Sequence, residues 1–122
     1  MHRALMMVIA LTIIAALAHP ASGWTFSYQP FQGRYLIYGG GLGDPYTPTS
    51  SSKRIAYWIK GNVAQKIFNA IGPDLRNVCG ADGEQRIRQR AEIVCMSHKR
   101  DGYSCNFGFD LQSGRSIGGS IC

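Results

Sequence analysis

Tyr103, Cys105, Phe107, Phe109 and Leu111 alternate with Ser104, Asn106, Gly108 and Asp110. A two-residue period is that of a strand with one buried face, so the odd-numbered residues here are predicted to look into a core. Upstream, residues 90–98 (RAEIVCMSH) are also strand-like, and Lys99-Arg100-Asp101-Gly102 is the turn between them. A two-residue Asp-Gly loop would set Val94, Met96 and His98 on the aromatic face. A three-residue loop ending in a left-handed Gly102 sets Ile87, Ala91, Ile93 and Cys95 there instead, and this register buries the better residues.

Residues 53–60 (KRIAYWIK) place Ile55, Tyr57 and Ile59 on one face and Ala56 and Trp58 on the other, the pattern of a strand covered on both sides. Gly61 breaks it, and Asn62 is positioned to cap a helix whose apolar stripe is Val63, Ala64, Ile67, Phe68 and Ile71. Gly72-Pro73 ends that helix, and Pro73 can open a short turn through Leu75 and Val78 closed by Gly80. The expectation is an α+β fold: a small antiparallel sheet of about four strands packed against one main helix.

Length and the first residues change this picture at the N-terminus. Met1-His2-Arg3 followed by a nearly unbroken apolar run from Leu5 to Leu17 and then small residues has the layout of a secretory signal peptide. Residues 1–23 are therefore read as a leader, with no stable membrane anchor after cleavage because the run is shorter than the ~20 residues that span a bilayer. Residues 24–52 read as an N-terminal strand and a Gly/Ser/Pro-rich loop, and residues 53–122 as the compact core of the same single domain. About one hundred residues bury little, so such a domain needs staples. Cys79, Cys95, Cys105 and Cys122 supply two disulfides in an exported, oxidising setting, secreted or periplasmic. If Ser113-Gly114 is a two-residue hairpin loop, Cys105 faces Cys122, which leaves Cys79 for Cys95.

The glycine-rich stretch YLIYGGGLGDPYTPTSSSKR carries no phosphate-binding motif: no Gly-Lys-Ser/Thr runs into a helix, and Asp44-Pro45 disfavours helix after the last glycine. It reads as a flexible surface connection. Neither a metal site nor a cofactor motif is visible. His98 and Glu92 are about 20 Å apart along an extended strand, too far to act as one acid–base pair. In the adopted register Glu92 falls opposite Asp110, a carboxylate pair that a small secreted hydrolase would use.

Charge is the more usable signal. Removing Arg3 with the leader leaves twelve Lys/Arg against seven Asp/Glu, a net charge of about +5. Arg86, Arg88 and Arg90 recur at every second position and are predicted to project from the outer face, away from the aromatic core. Met96, Asn106 and Ile121 fall in one cross-strand row on that face, so the partner-binding surface is expected to comprise Arg86, Arg88, Arg90, Met96 and Ile121. A competing expectation is that the aromatic segment 24–31 folds back over Met96 and Ile121 as a second small core. An acidic protein fits a basic, partly apolar surface. Nucleic acid fits poorly, since no aromatics interleave with the arginines. The expected function is therefore a non-enzymatic binding protein, an envelope-enzyme inhibitor or a toxin-neutralising immunity protein, with the hydrolase and a structural envelope component as alternatives.

Overall fold

The computed structural model describes residues 24–122; the predicted leader lies outside the described residues. The architecture of the described residues is a large antiparallel sheet with one short helix. Strands β1 (Gln32–Gly41), β2 (Asp44–Tyr46), β3 (Arg54–Lys60), β4 (Asp74–Leu75), β5 (Gln85–Arg90), β6 (Ile93–His98) and β7 (Gly102–Asp110) follow the order β2-β1-β3-β7-β6-β5-β4, and β8 (Ser116–Ile117) pairs with β7. This corrects the expectation of about four strands on a main helix: among the described residues eight strands form one sheet, and α1 (Asn62–Ala70) covers only part of one face. The excess comes from the two-residue strands β4 and β8 and from two longer stretches. The glycine stretch is strand and tight hairpin rather than loose connection, and the predicted long strand through residue 90 is two strands folded at Ala91-Glu92, where Ala91 has φ 47°.

The hairpin explains the glycines. A Cβ on Gly39 would meet the Tyr46 ring at 2.6 Å, and Gly40, at φ 72°, would meet the same ring. Tyr46 lies flat on the strand because two side chains are missing beneath it.

The helix stripe is as the periodicity predicts. Ala64 and Phe68 are buried against Ile59, Cys95 and Cys105, with Val63, Ile67, Ile71, Ile93, Tyr103 and Phe107 packed around them. The cap is different. Gly61, at φ 79°, stands at the N-cap with no side-chain bond, and Asn62 is the first helical residue.

Both hairpin registers are shifted by two residues from those expected. Cys95 faces Cys105, and Phe109 faces Ser116, because each turn is centred one residue earlier in the chain than expected. A shift of two preserves which face each residue occupies, so Ile93 and Cys95 do join the aromatic face. It changes the partners. The disulfides are Cys95–Cys105, directly across β6 and β7 with Cα atoms 4.0 Å apart, and Cys79–Cys122, correcting the expected Cys105–Cys122 and Cys79–Cys95 pairs. Two disulfides are consistent with an oxidising setting. No helix among the described residues is long and apolar enough to cross a membrane.

Candidate functional site

The arginine stripe lies on the face opposite to the one expected. Arg88 pairs across the sheet with Cys95, so Arg86, Arg88 and Arg90 share the face that carries the helix. The fold at Ala91-Glu92 causes this reversal, because it cancels the continuous period-2 count that joined Ile87 to Cys95. The last carbonyls of a helix lack intrahelical donors, and α1 has no basic residue in its last turn. Arg88 supplies them from the sheet: its Nη1 donates to Phe68 O at 2.9 Å and Ile71 O at 3.1 Å. Arg90 Nη2 donates to Gly72 O at 3.2 Å. Arg88 and Arg86 also lie over the Phe68 ring, at 4.3 and 5.2 Å. Both guanidiniums hold Asp74, Arg86 Nε at 2.7 Å and Arg88 Nε at 2.6 Å, and these bonds, Arg86 first, keep the Asp74 carboxyl down at about 2. The stripe thus ties helix, β4 and β5 together.

Met96 lies on the other face, opposite Ile87, so the structure does not bring it together with the arginines. Ile87 is 1% exposed although no helix among the described residues covers this face. Leu75, Val78, Val94 and the C-terminal residues Gly118, Ser120 and Cys122 surround it, strapped across the sheet by the Cys79–Cys122 bridge. A second small core therefore exists, but the chain end makes it, and Ile121 at its rim is 70% exposed. The segment expected to fold back stays out: Trp24, Phe26, Tyr28 and Phe31 are all largely exposed.

Glu92 and Asp110 do not face each other. Ladder pairing of β6 with β7 stops at Val94–Asn106, and β8 occupies the place beyond it. Glu92 sits in the β5–β6 turn, near Gly118. Asp110 accepts from the backbone N–H groups of Gln112 and Ser113, which pull its carboxyl below the usual range, and lies 3.6 Å from Arg54 Nε. It closes the β7–β8 turn. Among the described residues no cluster of three or more His, Cys, Asp or Glu could hold a metal ion.

What the sheet does assemble on its helix-free face is a groove of about 640 Å3 lined by Trp58, Lys60, Gln85, Met96, His98 and Ser104. Register explains the grouping: Trp58 has Arg34 across on β1 and Asn106 across on β7, Lys60 faces Ser104, and Ser104 faces Met96. The Arg34 guanidinium lies 4.6 Å from the Trp58 ring and Lys60 Nζ lies 5.6 Å from it. Gln85 Nε2 donates to Met96 Sδ at 3.0 Å, steadying the far wall. His98 Nδ1 accepts the Arg100 N–H at 3.2 Å. Asp101, 3.5 Å from His98 Nδ1, is the acid at this rim.

The alternation in KRIAYWIK already set Trp58 apart from Ile55, Tyr57 and Ile59. Only the pairing of β1 with β3 places Arg34 on it, which is why sequence reading missed the pair. No family model, curated protein or solved structure matches this chain.

Proposed function

We propose that this is an exported binding protein that captures an acidic protein through the helix-free face of its sheet. One observation carries the reading: the half-buried Trp58 ring lies between Arg34 and Lys60, with the flexible Met96 across the groove. Trp and Arg dominate the binding energy of protein interfaces, and cations beside an aromatic anchor steer an acidic partner and fix its orientation. Net charge, a leader-like N-terminus and two disulfides support work outside the cytoplasm, in the periplasm or medium. An envelope-enzyme inhibitor or a toxin-neutralising immunity protein is the role that suits such a surface. The arginine stripe drops out of the interface because Arg88 and Arg90 are engaged with the helix end; of the surface expected from sequence, Met96 remains.

The test is capture from a solubilised envelope fraction followed by titration with the purified partner. One stoichiometric acidic protein is expected, bound at least tenfold more weakly by Trp58→Ala and with a shallower salt dependence by Lys60→Glu. Arg86→Glu should bind as the parent does. Binding unchanged in the first two variants and lost in the third would return the interface to the helix face and overturn this reading.

A further inference from the structure

The two edges of the sheet are built differently. One ends in β4, two residues long, following Pro73 and flanked by Arg76. The other ends in β1, whose partner β2 pairs only with residues 39–41. Residues 32–38 of β1 pair with β3 on one side and, among the described residues, with nothing on the other. Natural edge strands are kept short, charged, bulged or interrupted by proline, because a long free row of N–H and C=O groups recruits another strand. These seven residues, GlnGlyArgTyrLeuIleTyr, contain no proline and one charge, and Tyr35, Leu36 and Ile37 are 69%, 49% and 41% exposed, on both faces of the strand.

We propose that a second copy of this chain occupies that edge, through antiparallel β1–β1 pairing about a two-fold axis at Tyr35. The choice of a second copy follows from how the edge is bounded. Its free stretch has Tyr35 at its centre; β2 blocks it beyond Tyr38, and Pro30 lacks an N–H just before Gln32. An antiparallel copy carries the same block at the opposite end, so the two hairpins flank the joint and all seven residues of each strand pair over about 23 Å. In this register Tyr35 faces Tyr35 of the other copy, an aromatic cross-strand pair, and Ile37 faces Gly33, which has no side chain to obstruct it. Arg34 faces Leu36, so no like charges stand directly opposite. On the helix face the exposed Tyr35 and Ile37 continue into the aromatic cluster of Tyr57, Phe107 and Phe109, with Tyr57 and Phe107 stacked at 5.2 Å. Pairing makes one apolar surface from both copies. An isologous joint of this kind is the commonest symmetry among soluble oligomers.

Sedimentation equilibrium of the exported protein with its disulfides intact reads the mass directly, and a dimer is expected. Tyr35→Lys sets two ammonium groups against each other on the axis and should raise the dimer dissociation constant at least tenfold. Tyr35→Asp should do the same, and mixing the two variants should restore the dimer as a heterodimer. Leu36→Lys gives a second disruption at another exposed position, and circular dichroism confirms that the variants fold. Leu111→Lys, exposed on the helix face but away from the edge, should leave the mass unchanged. A monomer at about 100 μM, well above the micromolar range of weak specific association, overturns the proposal. So does a dimer that survives Tyr35→Lys and Leu36→Lys, or one that Leu111→Lys dissociates.

Discussion

Arg88 is where the sequence and the tertiary structure give opposite answers to one measurement. An outward arginine in a solvated stripe predicts that its removal leaves the melting temperature unchanged. The structure gives it a 19% exposed side chain with two bonds to the carbonyls at the end of α1. Arg88→Met keeps the apolar stem over Phe68 and deletes only the guanidinium. Hydrogen bonds to a charged group contribute about 1.5–3 kcal/mol each, and the freed carbonyls recover part of that from water, so a net loss of about 3 kcal/mol is expected. For a domain of this size that is a fall of about 15 °C in melting temperature. The assay is urea unfolding of parent, Arg88→Met and Arg86→Met, followed by far-ultraviolet circular dichroism. Arg86, 47% exposed at its side chain and with Asp74 as its hydrogen-bond partner, gives no bond to the helix end, so it is the internal control and should change stability little. If Arg88→Met is no more damaging than Arg86→Met, the stripe does not cap the helix and its assignment to the structure rather than to a partner fails.

Non-reducing peptide mapping should recover Cys79 joined to Cys122 and Cys95 joined to Cys105; by chain entropy the first, closing 43 residues, contributes about 4 kcal/mol and the second, closing 10, about 3. Cys122→Ser should therefore unstrap the chain end and increase amide exchange at Ile87 while α1 stays protected. Phe68→Ala should cost about 3–5 kcal/mol in denaturant unfolding, since its ring is 1% exposed and is covered by Tyr103 and two arginines. The Asp74 carboxyl, held down at about 2 in the folded chain against 3.8 for the free side chain, stabilises the fold above the higher value and loses that effect as pH falls towards the lower. The stability difference between parent and Asp74→Asn should accordingly hold down to about pH 4, shrink below it and be lost only as pH falls through about 2; a difference that disappears near pH 5 would show that the arginines do not hold it.

What the residues determine by themselves is local parity. The alternation from Tyr103 to Leu111, the covered strand around Ile55–Ile59 and the stripe from Val63 to Ile71 each assign an element and a buried face, because the side-chain period of a strand or helix is a property of a few consecutive residues. That part of the core could be written down unaided. The stapled, basic character of the domain was equally legible from composition. Register was not. Moving a hairpin by two residues keeps every residue on its face and leaves the hydrophobic pattern unchanged, so nothing in the alternation distinguishes Cys95 opposite Cys105 from the two-residue shift that pairs the cysteines otherwise. The fold at Ala91-Glu92 was hidden for a related reason: it interrupts a run whose composition is strand-like throughout, and once it is made, the parity of residues 85–90 reverses relative to all that follows. That single turn carries three arginines from the outer face to the helix face, and two of them to the end of the helix. The Arg34–Trp58 pair and the free edge of β1 depend on which strands become neighbours across 23 intervening positions, and neighbour choice is decided by the packing of the whole sheet rather than by any segment of it.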